Sequence, residues 1–198
     1  IRTSILNLYT WGQNDQGQSG DNTTNNSSSQ VAIPGTPSNA TSLSPVQIGT
    51  SSWTAVRTAF NSTFGIEVDG TLYAWGRNNV GQLGDTTTVN KSSPVQIGTS
   101  SWTMLATGSG YGSGAIDSSN KIYTWGYNNS GRLGNNSTAN TSSPVLMGSS
   151  QGIGPVQVGA LSWTAVGTGA AQTQGITTDG LLYAWGLNSS GQLGDSTT

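Results

Sequence analysis

The chain of 198 residues is 32% hydrophobic and 7% charged, with 29 Gly, a formal net charge of −2 and neither His nor Cys. The missing imidazole and thiol groups exclude Ser/His/Asp and Cys/His nucleophile systems, imidazole or thiolate metal sites, and disulfides. The basic residues Arg2, Arg57, Arg77, Lys91, Lys121 and Arg132 are scattered singly, so no patch is available to neutralise a run of phosphates, and no nucleic-acid partner is expected.

Low hydrophobicity by itself suggests disorder. Disordered chains, however, are rich in charge and poor in aromatics, whereas this one has seven Trp and six Tyr among very few charges. The composition fits an ordered, turn-rich β protein. No apolar run approaches the roughly 20 residues that span a bilayer, and Ile1–Asn7 lacks the basic and apolar regions of a signal peptide. Membrane insertion is therefore not expected.

In chain order, one pentad recurs four times: Leu8-Tyr9-Thr10-Trp11-Gly12, Leu72-Tyr73-Ala74-Trp75-Gly76, Ile122-Tyr123-Thr124-Trp125-Gly126 and Leu182-Tyr183-Ala184-Trp185-Gly186. A second series, Ser-Trp-Thr at Trp53, Trp102 and Trp163, precedes the last three pentads by 22 or 23 residues, counted Trp to Trp. The distance from pentad to the next Ser-Trp-Thr varies instead, being 42 residues from Trp11 to Trp53, 27 from Trp75 to Trp102 and 38 from Trp125 to Trp163. A repeat of 50 residues with insertions in its first and third units follows, giving repeats of about 8–71, 72–121 and 122–181 and a partial one at 182–198. The insertions, within Asn22–Ser44 and near Ser149–Gly154, carry Pro, Gly and polar residues and are expected to be exposed loops.

Within the basic unit, Pro94–Ile97, Trp102–Ala106, Gly114–Ile116 and Lys121–Trp125 read as four short strands, rich in β-branched and aromatic residues and bounded by turn formers. The pairs Asp69-Gly70, Ser119-Asn120 and Asp179-Gly180 sit between the third and fourth of these. They predict two-residue type I′ hairpins with positive φ at both positions. A four-stranded antiparallel unit at this period predicts an all-β chain of β-propeller blades, three full repeats plus a partial one.

The run Leu72-Tyr73-Ala74-Trp75-Gly76-Arg77-Asn78-Asn79-Val80-Gly81-Gln82-Leu83-Gly84-Asp85, matched by Leu182–Asp195, resembles the repeat of the regulator of chromosome condensation family. That resemblance implies a β-propeller, most often of seven blades. The family repeat carries a Gly and then a His after its second strand; the corresponding residues here are Ala59 and Ser62, Gly108 and Tyr111, and Gly169 and Gln172. With the Ser/Thr/Asn bias, the absent His makes the chain resemble the divergent repeats of bacterial and viral surface proteins. Three units fall below the roughly four blades of the smallest usual propellers. The expected partners are therefore the rest of a longer polypeptide or copies of the chain itself.

The residues that define the repeat, Trp11, Trp53, Trp75, Trp102, Trp125, Trp163, Trp185, Gly76, Gly81 and Gly84, are expected to be structural, the aromatics filling space between blades and the Gly residues allowing sharp turns and close packing. Gly76-x-Asn78-x-x-Gly81-x-x-Gly84 superficially resembles a phosphate loop but leads into no helix. Asn14, Asp15, Asp21, Asn78, Asn79, Asp85, Asn188 and Asp195 offer calcium-type oxygens, yet only about one carboxylate per loop. Glu67 and Asp69 stand too close in sequence for a pair across a cleft, and Asp69 reads as a turn residue. Asn-x-Ser/Thr occurs eleven times, as at Asn39, Asn61 and Asn136, a weak pointer to an exterior location.

No catalytic residue, metal or cofactor is expected. The expected function is a structural or adhesive module on a virus, such as a phage fibre or decoration protein, or on a bacterial cell exterior. It would meet a cell-surface receptor or a neighbouring subunit through Asn22–Ser44, Asp85–Ser93 or Asn135–Gly154. The alternative is an intracellular regulator resembling the family's nucleotide-exchange factor for a small GTPase.

Overall fold

The computed structural model describes residues 9–10, 14–18, 23–24, 46–146 and 161–197. Apart from Thr23 and Thr24, the two expected insertions lie outside these residues, as does Trp11. Every regular element among the described residues is a strand: β1 (Tyr9–Thr10), β2 (Val46–Gln47), β3 (Trp53–Ala59), β4 (Ser62–Glu67), β5 (Leu72–Gly76), β6 (Lys91–Gln96), β7 (Trp102–Thr107), β8 (Gly112–Asp117), β9 (Ile122–Gly126), β10 (Thr141–Leu146), β11 (Trp163–Thr168), β12 (Gln172–Thr177) and β13 (Leu182–Gly186).

These strands form antiparallel sheets ordered β3-β4-β5-β6, β7-β8-β9-β10 and β11-β12-β13, with β1 paired to β2. Each four-stranded sheet takes its first two strands from one sequence repeat and its last two from the next, because the long loop after the Trp-Gly pair returns the chain to the same sheet. The sheets do not close into a ring.

The third-to-fourth-strand connection of the sequence reading is a tight antiparallel hairpin, but its geometry differs from type I′. Only the last turn residue has positive φ: 87° at Gly70, 60° at Asn120 and 85° at Gly180. Gly70 N donates to Glu67 O at 3.0 Å and Glu67 N to Thr71 O at 2.9 Å, so the loop is a three-residue type I turn closed by a left-handed residue. Asp69 stays at negative φ because its Oδ1 accepts from Thr71 N at 2.9 Å, an Asx contact made outside the left-handed region.

Strand alternation gives each sheet two unlike faces. In the first sheet Trp53, Tyr73 and Trp75 share an aromatic face, while Ile66, Leu72 and Ala74, with the ring of Phe64, form a mainly aliphatic one. The aliphatic face packs on the aromatic face of the next sheet, Trp102, Leu105, Ala115, Tyr123 and Trp125, and this is the largest core. The second sheet repeats the arrangement, with Ile116 and Ile122 against Trp163, Tyr183 and Trp185. Stacking of aromatic on aliphatic face is the structural repeat, and it explains how a chain with so few hydrophobic residues still buries a core.

Candidate functional site

Each aromatic face is built around one Trp lying across its own sheet. The Trp53 ring reaches over Gly65 on β4 to meet Tyr73 edge-on at 5.7 Å and Trp75 at 6.0 Å. Trp102 does the same to Tyr123 and Trp125 at 5.2 and 6.3 Å, and Trp163 to Tyr183 and Trp185 at 5.5 and 6.2 Å. Such edge-to-face pairs contribute about 0.5–1.5 kcal/mol beyond the area they bury.

The loop after β5 is folded by one buried side chain. Asn78 Oδ1 accepts from Leu83 N at 2.9 Å, while its Nδ2 donates to Asp85 Oδ1 at 2.8 Å and Thr87 O at 3.1 Å. Asn128 and Asn188 repeat this, with Leu133 N and Leu193 N each at 2.9 Å. Gly76, with φ 102°, and Gly81, with φ 78°, turn the chain into and through the loop. Gly84 combines φ 81° with close approach, since a Cβ there would stand 2.8 Å from the Trp125 Nε1 of the next sheet.

Of the carboxylates that the sequence offered as calcium ligands, Asp21 lies outside the described residues and Asp15, Asp85 and Asp195 are engaged in contacts of this kind. Burial works against the charged form of Asp85, but hydrogen bonds from Thr87, Asn78 and Lys91 outweigh it and hold its carboxyl below the ordinary value. Lys91 Nζ lies 3.3 Å from Asp85 Oδ2. Asp195 is lowered mainly by its hydrogen bonds from Thr197. Asp15 accepts from Gln18 Nε2 at 3.3 Å. Among the described residues no group of three or more acidic side chains could hold a metal ion. Glu67 and Asp69 sit together at the β4–β5 hairpin, where the backbone amide of Thr71 holds Asp69 below its ordinary value.

A second contact joins neighbouring sheets. The Gln82 carbonyl accepts from Trp125 Nε1 and Ser113 Oγ, both at 3.0 Å, and the Arg132 carbonyl accepts from Trp185 Nε1 at 2.9 Å and Thr173 Oγ1 at 2.8 Å. The Gly-Gln-Leu-Gly stretch, Gly-Arg-Leu-Gly in the second loop, therefore acts as a polar latch on the following aromatic face.

The β3–β4 turn and the β5–β6 loop share one end of the stack, and there the sequence reading missed a cluster. Phe60 is 68% exposed and meets Tyr111 edge-on at 5.5 Å. The Arg77 guanidinium lies over the Tyr111 ring at 5.2 Å, and its Nη1 donates to the Tyr111 hydroxyl at 3.2 Å. Tyr111, read from the sequence as a substitute for a family His, stands at φ 60° in a turn one residue longer than its counterparts. That extra residue was the available signal. Beside it Arg132, which stands where the other loops have Gln, is buried under Tyr127 at 4.9 Å and donates to the carbonyls of Gly110 and Ala170.

Short four-stranded antiparallel sheets, stacked aromatic face on aliphatic face and latched by a Gly-rich loop, define a segment of a β-propeller. The Regulator of chromosome condensation (RCC1) repeat matches residues 69–113 and 119–169, and the chain belongs to that repeat family. The fold is similar to human WBSCR16, with 22% identity over 97% of this chain and 46% of that one at a TM-score of 0.73. It is also similar to Prp20p from Saccharomyces cerevisiae, with 19% identity over 100% of this chain and 45% of that one at 0.71. For yeast RCC1 (Prp20) bound to Kap60 the values are 16%, 92% and 40%, at 0.67. The chain thus spans less than half the length of these three solved structures.

Proposed function

We propose that the chain is a non-enzymatic β-propeller module that binds a protein through the end carrying Phe60, Tyr111 and Arg77, and that it works on the exterior of a virus or bacterial cell. The exposure of Phe60 carries the binding part of this reading. A large apolar ring held out to solvent by an aromatic neighbour and an Arg has the composition of interface hot spots. The low charge and Ser/Thr/Asn-rich composition support the exterior location, where a receptor or neighbouring subunit would be the partner.

Antibodies against the chain are expected to label intact, unpermeabilised cells or particles of its source. Labelling confined to permeabilised material overturns the exterior location. Replacing Phe60 and Arg77 together with Ala is expected to abolish partner capture from that source; retained capture moves the binding surface elsewhere.

One observation favours a second reading, an intracellular regulator resembling a nucleotide-exchange factor. The chain has the fold of yeast Prp20p, which is described with binding properties to Gsp1p and histones. Purified Gsp1p and core histones are the probes: binding of either one, with faster nucleotide release from Gsp1p, would put this reading first.

A further inference from the structure

The exposed cluster contains a guanidinium with one free edge. Arg77 Nε donates to Asn79 Oδ1 at 2.9 Å and Nη1 to the Tyr111 hydroxyl at 3.2 Å, while Nη2 makes no hydrogen bond among the described residues. No carboxylate of those residues pairs with it either. Glu67, Asp69, Asp117 and Asp179 lie at the hairpins of the opposite end of the sheets, and Asp15, Asp85 and Asp195 are bonded within their own loops. The stack itself does not call for an Arg here, since the other repeats place Gln13, Tyr127 and Leu187 after the same Trp-Gly pair.

The support around this Arg is already ordered. Tyr127 N donates to the Tyr111 carbonyl at 3.0 Å and Arg132 Nη1 to the Gly110 carbonyl at 2.8 Å, which fixes the peptide groups on both sides of Tyr111. Tyr111 in turn meets Phe60 edge-on at 5.5 Å and carries the Arg77 guanidinium over its ring at 5.2 Å. A cation and a solvent-facing aromatic ring fixed side by side lose little freedom on binding.

Building on the reading that this end binds a protein, we infer that the segment it takes is acidic. An Asp or Glu carboxylate of the partner accepts from Arg77 Nη2 in a charge-assisted hydrogen bond, and an adjacent apolar side chain lies on the Phe60 ring, which is 68% exposed. The Phe60 and Tyr111 rings keep water from one side of that pair, so it is stronger than an ion pair on open surface. A basic segment would meet Arg77 with like charge, and a neutral one would leave the guanidinium without a counter-charge.

The probe is a random peptide library displayed on phage and selected against the 198-residue chain, with the enriched peptides then measured by fluorescence anisotropy. They are expected to carry Asp or Glu beside Leu, Phe or Trp, and Phe60→Ala and Arg77→Gln are each expected to weaken them about tenfold or more. Asp→Asn or Glu→Gln in the peptide is expected to weaken binding to the parent chain by a similar factor and to have little further effect on the Arg77→Gln variant. The peptide change asks the same question without altering the chain. Enriched peptides that are neutral or basic, or that bind as well after losing the carboxylate, overturn the acidic assignment; if Phe60→Ala still weakens them, the surface itself stands. Peptides that bind the double Phe60→Ala, Arg77→Gln variant undiminished overturn the surface as well. Failure to enrich any peptide, with binding instead to arrayed sialylated or uronate glycans, gives the site to an anionic sugar and overturns the proposal.

Discussion

The indole N–H of Trp125 donates to the main-chain carbonyl of Gln82 at 3.0 Å, across the junction between two sheets. This bond links the most recognisable residue of the repeat to the most recognisable loop of the preceding blade. A Gly-Gln-Leu-Gly turn and a Trp-Gly strand end recur together because one supplies the acceptor and the other the donor. Trp75 lacks the corresponding bond, its Nε1 being buried without a partner among the described residues, although Thr63 Oγ1 does reach the Gln18 carbonyl at 2.9 Å.

Trp125→Phe should therefore cost more than Trp75→Phe. Both substitutions remove ring volume from a core, but only the first breaks a buried hydrogen bond and leaves Gln82 with Ser113 alone. The excess is expected to be about 1–3 kcal/mol in urea unfolding. Equal losses would mean that the latch adds nothing beyond packing.

Two Gly residues with similar backbone angles should respond differently to Ala. Gly81 has φ 78°, and a Cβ there would stand 2.6 Å from the Ser142 Cα, so both backbone strain and a clash with rigid main chain oppose the change. Gly98 has φ 62° with nothing within 4 Å of the added atom. Gly98→Ala is expected to cost about 1–2 kcal/mol from left-handed strain alone, and Gly81→Ala about 1–3 kcal/mol more from overpacking. Chemical denaturation of both variants checks the order.

Much of this architecture was legible because Trp and Gly recur at fixed spacing. The alternation in Phe64-Gly65-Ile66 and Leu72-Tyr73-Ala74-Trp75 already separates an aliphatic from an aromatic face. The hairpin type was not legible, because Asp69-Gly70 suits either a two-residue or a three-residue turn and only the Glu67 to Thr71 bond decides between them. The exposed cluster was hidden for another reason. Phe60, Arg77 and Tyr111 come from three separate loops and have no counterpart in the other repeats, so periodicity, the strongest signal in the chain, passes over them. A site built from departures from a repeat becomes visible only once the fold brings those departures together.

Arg132 is one such departure. Burial draws its guanidinium below the ordinary value, its Nε has no partner, and no carboxylate is paired with it among the described residues. Its two carbonyl contacts, to Gly110 and Ala170, offset part of that desolvation. Arg132→Gln restores the residue used at Gln82, whose side chain closes its own loop by accepting from Val80 N at 3.0 Å. The expected change in stability is under about 1 kcal/mol. Arg132→Ala gives up the same two carbonyl contacts as the Gln variant but also leaves a void and no side chain to close the loop, and should cost about 2–4 kcal/mol. A large loss in the Gln variant would show the guanidinium to be essential to the junction between the second and third sheets.

Acid should loosen the loop around Asp85 before it unfolds the sheets. The carboxyl is held below its ordinary 3.8 in the folded chain, so its contribution is fully present above that value and is lost as the pH falls through the lower folded value. The second loop gives the matching control, since Asn135 stands where Asp85 does and accepts from Asn128 Nδ2 at 3.1 Å without a charge. Asp85→Asn keeps an acceptor for Asn78 but gives up the pair with Lys91. The variant is expected to melt below the parent chain at pH 7, with the difference shrinking as the pH falls through the lowered value of the folded carboxyl. Melting temperatures across that range check the sign: a difference that stays constant would show that Asp85 acts in this loop through shape alone and not through its charge.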